Sequence, residues 1–178
     1  LKDSFELITC PGEMGENAAK KLGFNIKVIG KKNFQTSSDD TKNAAAEMQN
    51  QGVSLIVIAG GDGTARDVFE AIGNNVPILG IPTGVKIYSG IYALTPYYAG
   101  KAVSQYLSGK LTEFTLSEVM DINEDDFRSG KLTVQIFGYL NTFKEPSLVQ
   151  GTKNASVATE EDELLGISSE LIRKMEDN

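Results

Sequence analysis

The chain has 178 residues, 40% apolar and 23% charged, with a formal net charge of −7, no histidine and one cysteine. This is an ordinary globular composition for one domain, or one domain with a small appendage. It weighs against a broad nucleic-acid face, which needs basic surface, and removes histidine as a general base or zinc ligand.

No run approaches the roughly 20 apolar residues of a membrane-spanning helix, and no signal-peptide pattern opens the chain. The lone Cys10 has no internal partner for a disulfide. The expected setting is a reducing cytoplasm, with no membrane or nucleic-acid partner. The record starts at Leu1 rather than Met and ends at Asn178 just after a helical pattern, so it is expected to be incomplete at both ends.

Residues 5–10 read as a short strand ended by Pro11-Gly12, followed by a helix to about Leu22 and a strand from Phe24 to Ile29. Thr36-Ser37-Ser38-Asp39 has capping-box spacing. It opens a helix with Thr41, Ala44, Ala45 and Met48 on one face, closed by Gly52. Val53 to Ala59 is a nearly continuous apolar run, the pattern of a parallel strand buried on both faces. Ala65, Val68, Phe69 and Ile72 then form a helical stripe, and residues 77–81 a further buried strand. Thr95-Pro96 starts another helix at its N-cap and N1 positions, with Gly109 as its stop. The alternation predicts an α/β fold with a doubly wound, mainly parallel sheet over residues 1–109.

Beyond Gly109 the period changes. Phe114, Leu116, Met120 and Ile122, and again Leu132, Val134, Ile136 and Leu140, place apolar residues on even positions. That is the alternation of strands with one wet face. It predicts a second, smaller β-rich unit over residues 110–158, and Thr159-Glu160-Glu161-Asp162 opens a C-terminal helix over 159–178. Glu118 interrupts the apolar face. It is either paired or functional, or turned outward by a bulge at the strand end. Asn123-Glu124-Asp125-Asp126 reads as a solvated turn rather than a metal site, and no protein metal site is expected.

Gly60-Gly61-Asp62-Gly63-Thr64 stands at the carboxyl end of a buried strand and runs into a helix, where open α/β sheets bind ligands. Asp-Gly is also a hairpin signal, but a helical pattern follows it here. Gly60, Gly61 and Gly63 permit φ > 0 and close backbone approach to an anion, and the helix adds unpaired N–H groups and its positive dipole end. Thr64-Ala65-Arg66-Asp67 fits a capping box, placing Arg66 in the first turn within reach of a phosphate. A second loop, Gly80 to Gly90, follows the next buried strand. If the two strands are neighbours, Thr83, Gly84, Lys86 and Ser89 share one site with the glycine loop.

Gly60-Gly61-Asp62-Gly63-Thr64-Ala65-Arg66-Asp67 and Gly80-Ile81-Pro82-Thr83-Gly84-Val85-Lys86 resemble the ATP-NAD kinase-like family within the NAD kinase and diacylglycerol kinase superfamily. The likeness is to its archaeal and acetoin-catabolism-associated branch. Pro11-Gly12-Glu13-Met14-Gly15, Asp39-Asp40-Thr41, Glu118-Val119-Met120-Asp121, Gln150 and Lys153 add to it. The resemblance implies a kinase with ATP or polyphosphate as phosphoryl donor, NAD as acceptor and Mg2+ as helper ion, and it implies a homo-oligomer. Asp62 is then the residue that orients or deprotonates the ribose 2′-hydroxyl, while the glycine loop holds phosphates. Phosphoryl transfer needs mostly positioning and charge stabilisation, which Asp62, the loop amides and Lys86 or Arg66 can supply.

The Asn-Glu pair that holds the nucleoside in typical NAD kinases has no counterpart here. That keeps open a nucleotide-binding regulatory protein without turnover. A diacylglycerol-type lipid kinase is the other alternative, although the second loop lacks the Gly-Thr-Gly-Asn run usual there.

Overall fold

Residues 5–31, 33, 35–84, 87–122, 130 and 133–150 are described by a computed structural model of the chain. Lys86, Asn123-Glu124-Asp125-Asp126, Lys153 and the expected helix of 159–178 lie outside them, as does the 151–158 end of the β-rich unit.

The first half alternates as its periodicity requires. β1 (Leu7–Thr9) leads through a 3-10 turn (Gly12–Met14) into α1 (Glu16–Lys21), and β2 (Ile26–Val28) pairs in parallel with β1. α2 (Ser38–Asn50) follows, then β3 (Ile56–Gly60), α3 (Asp62–Ile72) and β4 (Ile78–Pro82). β3 and β4 are parallel neighbours, with Ile56 opposite Ile78 and Gly60 opposite Pro82. α4 (Pro96–Leu107) starts as expected, the Thr95 side chain accepting from the Tyr98 amide and Pro96 standing at N1.

Helices cover both faces of the β3–β4 pair. Ile56, Ile58 and Ile78 join Ala45 of α2 and Ala65, Val68 and Ile72 of α3 in one apolar cluster. Leu79 faces the other way, packing with Ala99 and Ala102 of α4 and with Phe143 and Leu148. The side chains of Val68 and Ile72 are each worth about 1.5–3 kcal/mol of burial, which fixes α3 against the sheet. The class is α/β.

The sheet is not continuous among the described residues: β1–β2 and β3–β4 are separate parallel pairs. A cavity of about 970 Å³ lies between them, lined by consecutive residues of both strands (Phe5 to Cys10, Val53 to Ala59) and by side chains of α2 and α4. Consequently β3 is not buried on both faces as its apolar run suggests. Ile56 and Ile58 are buried, but Val57 is 42% exposed where it borders this cavity.

Two helix starts differ from their sequence signals. The capping box of α2 is Ser37 with Asp40, one residue later than Thr36–Asp39. The Ser37 amide and hydroxyl both donate to Asp40 Oδ2, at 2.8 and 3.0 Å. α3 begins at Asp62 with Gly61 as N-cap, ahead of the Thr64–Asp67 match. Asp67 instead faces Lys42 of α2 at 3.6 Å.

β5 (Phe114–Ile122) and β6 (Val134–Phe143) form an antiparallel pair that packs on α3. Its inner face is odd-numbered on β5 and changes parity along β6. On β5 the buried residues are Ser117 and Val119, whereas Leu116 is 52% exposed, and on β6 Ile136 is 49% exposed although Leu140 is buried. The register supplies the reason for the change on β6: Val119 pairs with Gly138 but Met120 with Ile136, leaving Phe137 as an extra residue in β6. One inserted residue reverses which side chains face inward. Gly138 at this bulge lies against the ring of Phe69 on α3, where any Cβ would overlap it.

Candidate functional site

Strand pairing brings the two loops to one sheet edge. Gly60 is opposite Pro82, and the Thr83 amide donates to the Gly60 carbonyl at 3.2 Å, so the second loop leaves β4 directly beside the glycine loop. Thr83 and Gly84 are exposed there.

The glycines of the first loop do a different job from the one their identity suggests. None of Gly60, Gly61 and Gly63 has a positive φ; Gly61 is extended at φ −122°. Gly60 is required because a Cβ would overlap the Thr64 side chain folded back on it, whereas nothing lies within 4 Å of a Cβ built on Gly61. The loop is therefore close-packed on its inner side and open on its outer side, where a ligand can approach the backbone. The Thr64 and Ala65 amides donate to Gly61 O at 3.0 and 3.2 Å. The Asp62 and Gly63 amides, in the first turn of α3, have no carbonyl one turn earlier to bond. With the helix dipole they make the start of α3 electropositive.

Asp62 is 8% exposed. Its Oδ2 accepts the Tyr88 amide at 2.8 Å and its Oδ1 the Ser89 amide at 2.9 Å. Each oxygen keeps a second acceptor position. Asp62 is therefore both a clamp on the second loop and a carboxylate at the mouth of α3.

Ser89 does not offer its hydroxyl to a ligand. It is 0% exposed, and its Oγ donates to Met120 O and accepts the Met120 amide, both at 3.0 Å. With the Gly90 amide donating to Glu118 O at 3.0 Å, it fastens the second loop to β5. Glu118 itself is half-buried, its carbonyl used in that contact.

Arg66 stands in the second turn of α3, because the helix starts earlier than its capping-box match. Its Nη1 lies 2.9 Å from Asp121 Oδ2, its Nε 3.8 Å from Glu70 Oε1, and its guanidinium sits over the Phe137 ring at 5.1 Å. Among the described residues of the two loops and the α3 start it is the one cationic side chain, and it is already matched by carboxylates.

Two contributors escaped the residue pattern. Asp121 reaches from β5 to the start of α3, with Oδ2 3.9 Å from a Cβ built on Gly63. Tyr92 is fully buried and donates its hydroxyl to Gly61 O. Burial, then the Asp62 and Asp121 carboxylates, push its phenol well above the usual range. Asp121 was visible only as the end of a short motif. Tyr92 sat in an apolar run with nothing local to mark it beyond the need of a buried tyrosine for a hydroxyl partner.

Among the described residues no group of three or more acidic, cysteine or histidine side chains is placed to hold a metal alone. Mg2+ in phosphate sites is commonly held by one or two carboxylates plus the phosphates themselves. Asp62 and Asp121, both at the start of α3, are the carboxylates that would hold such an ion. No helix of the described residues is long and apolar enough to cross a membrane.

Residues 1–111 match the family described as ATP-NAD kinase N-terminal domain. No curated protein and no solved structure matches the chain.

Proposed function

Since the chain belongs to the ATP-NAD kinase N-terminal domain family, we propose that it transfers a phosphoryl group from ATP or polyphosphate to the 2′-hydroxyl of NAD or a related nucleotide. The observation that carries this reading is the meeting of two loops at one sheet edge around Asp62, whose carboxylate stands at a helix N-terminus open to an anion. Donor phosphates lie against the amides of Asp62 and Gly63, with Thr83 and Gly84 on the neighbouring strand end. Asp62 uses its remaining acceptor positions to hold and orient the acceptor hydroxyl. Lys86 supplies a cation from the same loop, and Asp62 and Asp121 would hold Mg2+, which would offset the phosphate charge. In-line transfer then needs positioning more than covalent participation by the protein. The reaction belongs in the cytoplasm, in keeping with a single buried thiol at Cys10.

The test is direct. Full-length protein is incubated with Mg2+, NAD and either ATP or polyphosphate, and NADP is measured. NADP formation that depends on Asp62 supports the reading. Nucleotide binding by calorimetry without product assigns the site to a sensor, and phosphorylation of a diacylglycerol alone assigns it to lipid chemistry.

A further inference from the structure

Gly61 carries the peptide that opens α3 and has no side chain of its own to restrain it. With glycine at 60, 61 and 63, rotation of this peptide is cheap. Its carbonyl already accepts the Thr64 and Ala65 amides of α3 at 3.0 and 3.2 Å, and one further donor comes from outside the helix. The Tyr92 ring packs against Gly80 of β4, where any Cβ would overlap it, and its hydroxyl donates to the Gly61 carbonyl. In a trans peptide the C=O of one residue and the N–H of the next point in opposite directions. A carbonyl drawn down to Tyr92 therefore turns the Asp62 N–H up, away from the core and toward the open side of Gly61.

We infer that Tyr92 is a positioning residue of the phosphate site, fixing the Gly61–Asp62 peptide so that its N–H faces the ligand. This rests on reading the glycine loop as a phosphate site. Tyr92 is held on every side that the role requires: it is fully buried, and its own backbone is bracketed by the Gly80 contacts on one side and by the Gln150 amide, 2.8 Å from its carbonyl, on the other. Because burial and two nearby carboxylates keep the phenol protonated, the hydroxyl stays a donor across the working pH range. Removing it leaves the peptide to the two helix amides alone and widens its range of orientations, and a ligand that needs one of them binds more weakly by the fraction lost.

Tyr92→Phe keeps the ring and deletes the donor. Calorimetric binding of Mg-ATP and of inorganic tripolyphosphate to the full chain should weaken by about 2- to 13-fold, the worth of one hydrogen bond. Tyr97→Phe, on the exposed side of α4, should change neither. In the ligand-free protein, the Asp62 and Gly63 amide resonances should shift and exchange faster in Tyr92→Phe while those of β4 stay in place, a signature that general loosening does not give. Wild-type affinity in Tyr92→Phe together with unmoved Asp62 and Gly63 resonances overturns the role while leaving the phosphate-site reading intact. Failure of the wild-type protein to bind either probe overturns that reading and this role with it.

Discussion

Asp62 connects the residues on which the site depends, and its double use sets what its replacement will do. The Tyr88 and Ser89 amides each need an acceptor, and the two carboxylate oxygens supply them. An asparagine offers one acceptor and turns an NH2 toward the other amide. We therefore expect Asp62→Asn to lose most turnover and also to lower stability by about 1–3 kcal/mol, the cost of a buried donor left unpaired. An NADP assay and a thermal melt on the same preparation check both, and an unchanged melting temperature would rule out the clamp. Gly60→Ala should be destabilising as well, by about 1–3 kcal/mol from the overlap with Thr64, measured by denaturant titration. At this scale the sequence was informative about what lies within one loop. Asp62, the glycines and their place at a strand end were readable, because a strand, a turn and a helix start are local. Tyr92 and Ser89 were not readable in their actual roles, because their partners Gly61 and Met120 each stand 31 residues away.

For the elements, the identity of each helix and strand followed from its period, while starts and faces followed from contacts that the period does not contain. Ser37 rather than Thr36 caps α2 because Asp40 reaches back to it. That hydrogen bond from the Ser37 amide, then the one from its hydroxyl, hold the Asp40 carboxyl below its usual range. A carboxyl lowered on folding stabilises the folded state above its unfolded pKa of about 3.9 and ceases to do so as pH falls through the lower folded value. The Ser37 amide resonance should accordingly titrate with a midpoint below 3.9, and a midpoint at or above it would remove the capping role. The switch of inner face along β6 has one cause, the extra residue Phe137, which alternation alone cannot locate. Its packing yields a separate expectation: Gly138→Ala should cost about 1–3 kcal/mol through overlap with Phe69. Adding Phe69→Leu should recover part of that, giving a coupling above about 0.5 kcal/mol in a double-mutant cycle. Strict additivity would mean the two residues do not press on each other.

For the molecule as a whole, the division between β1–β2 and β3–β4 governs which backbone groups are protected. The Ile56 amide donates to Pro77 O, and Gly60 O accepts the Thr83 amide, so the even-numbered peptides of β3 face β4. Successive residues of a strand bond on opposite sides. The Val57 and Ala59 amides therefore face the cavity beside β1. Their hydrogen exchange should be faster than that of Ile56 and Ile58 by orders of magnitude, and uniform protection along β3 would show that the two sheet halves are joined. The helical cover on both faces of β3–β4 was legible from the sequence. The gap was not, since Val53 to Ala59 reads the same whether or not a neighbour sits on each edge. The Ser89 junction has a consequence in time. It ties a loop to Asp62, 27 residues back, and to Met120, 31 residues ahead. Each tie closes a long chain segment, and such closures are formed only once enough else is in place to offset their entropy. Ligand-binding competence should thus return in refolding with the docking of the β5–β6 pair onto α3, as one late step, rather than with the early appearance of helix.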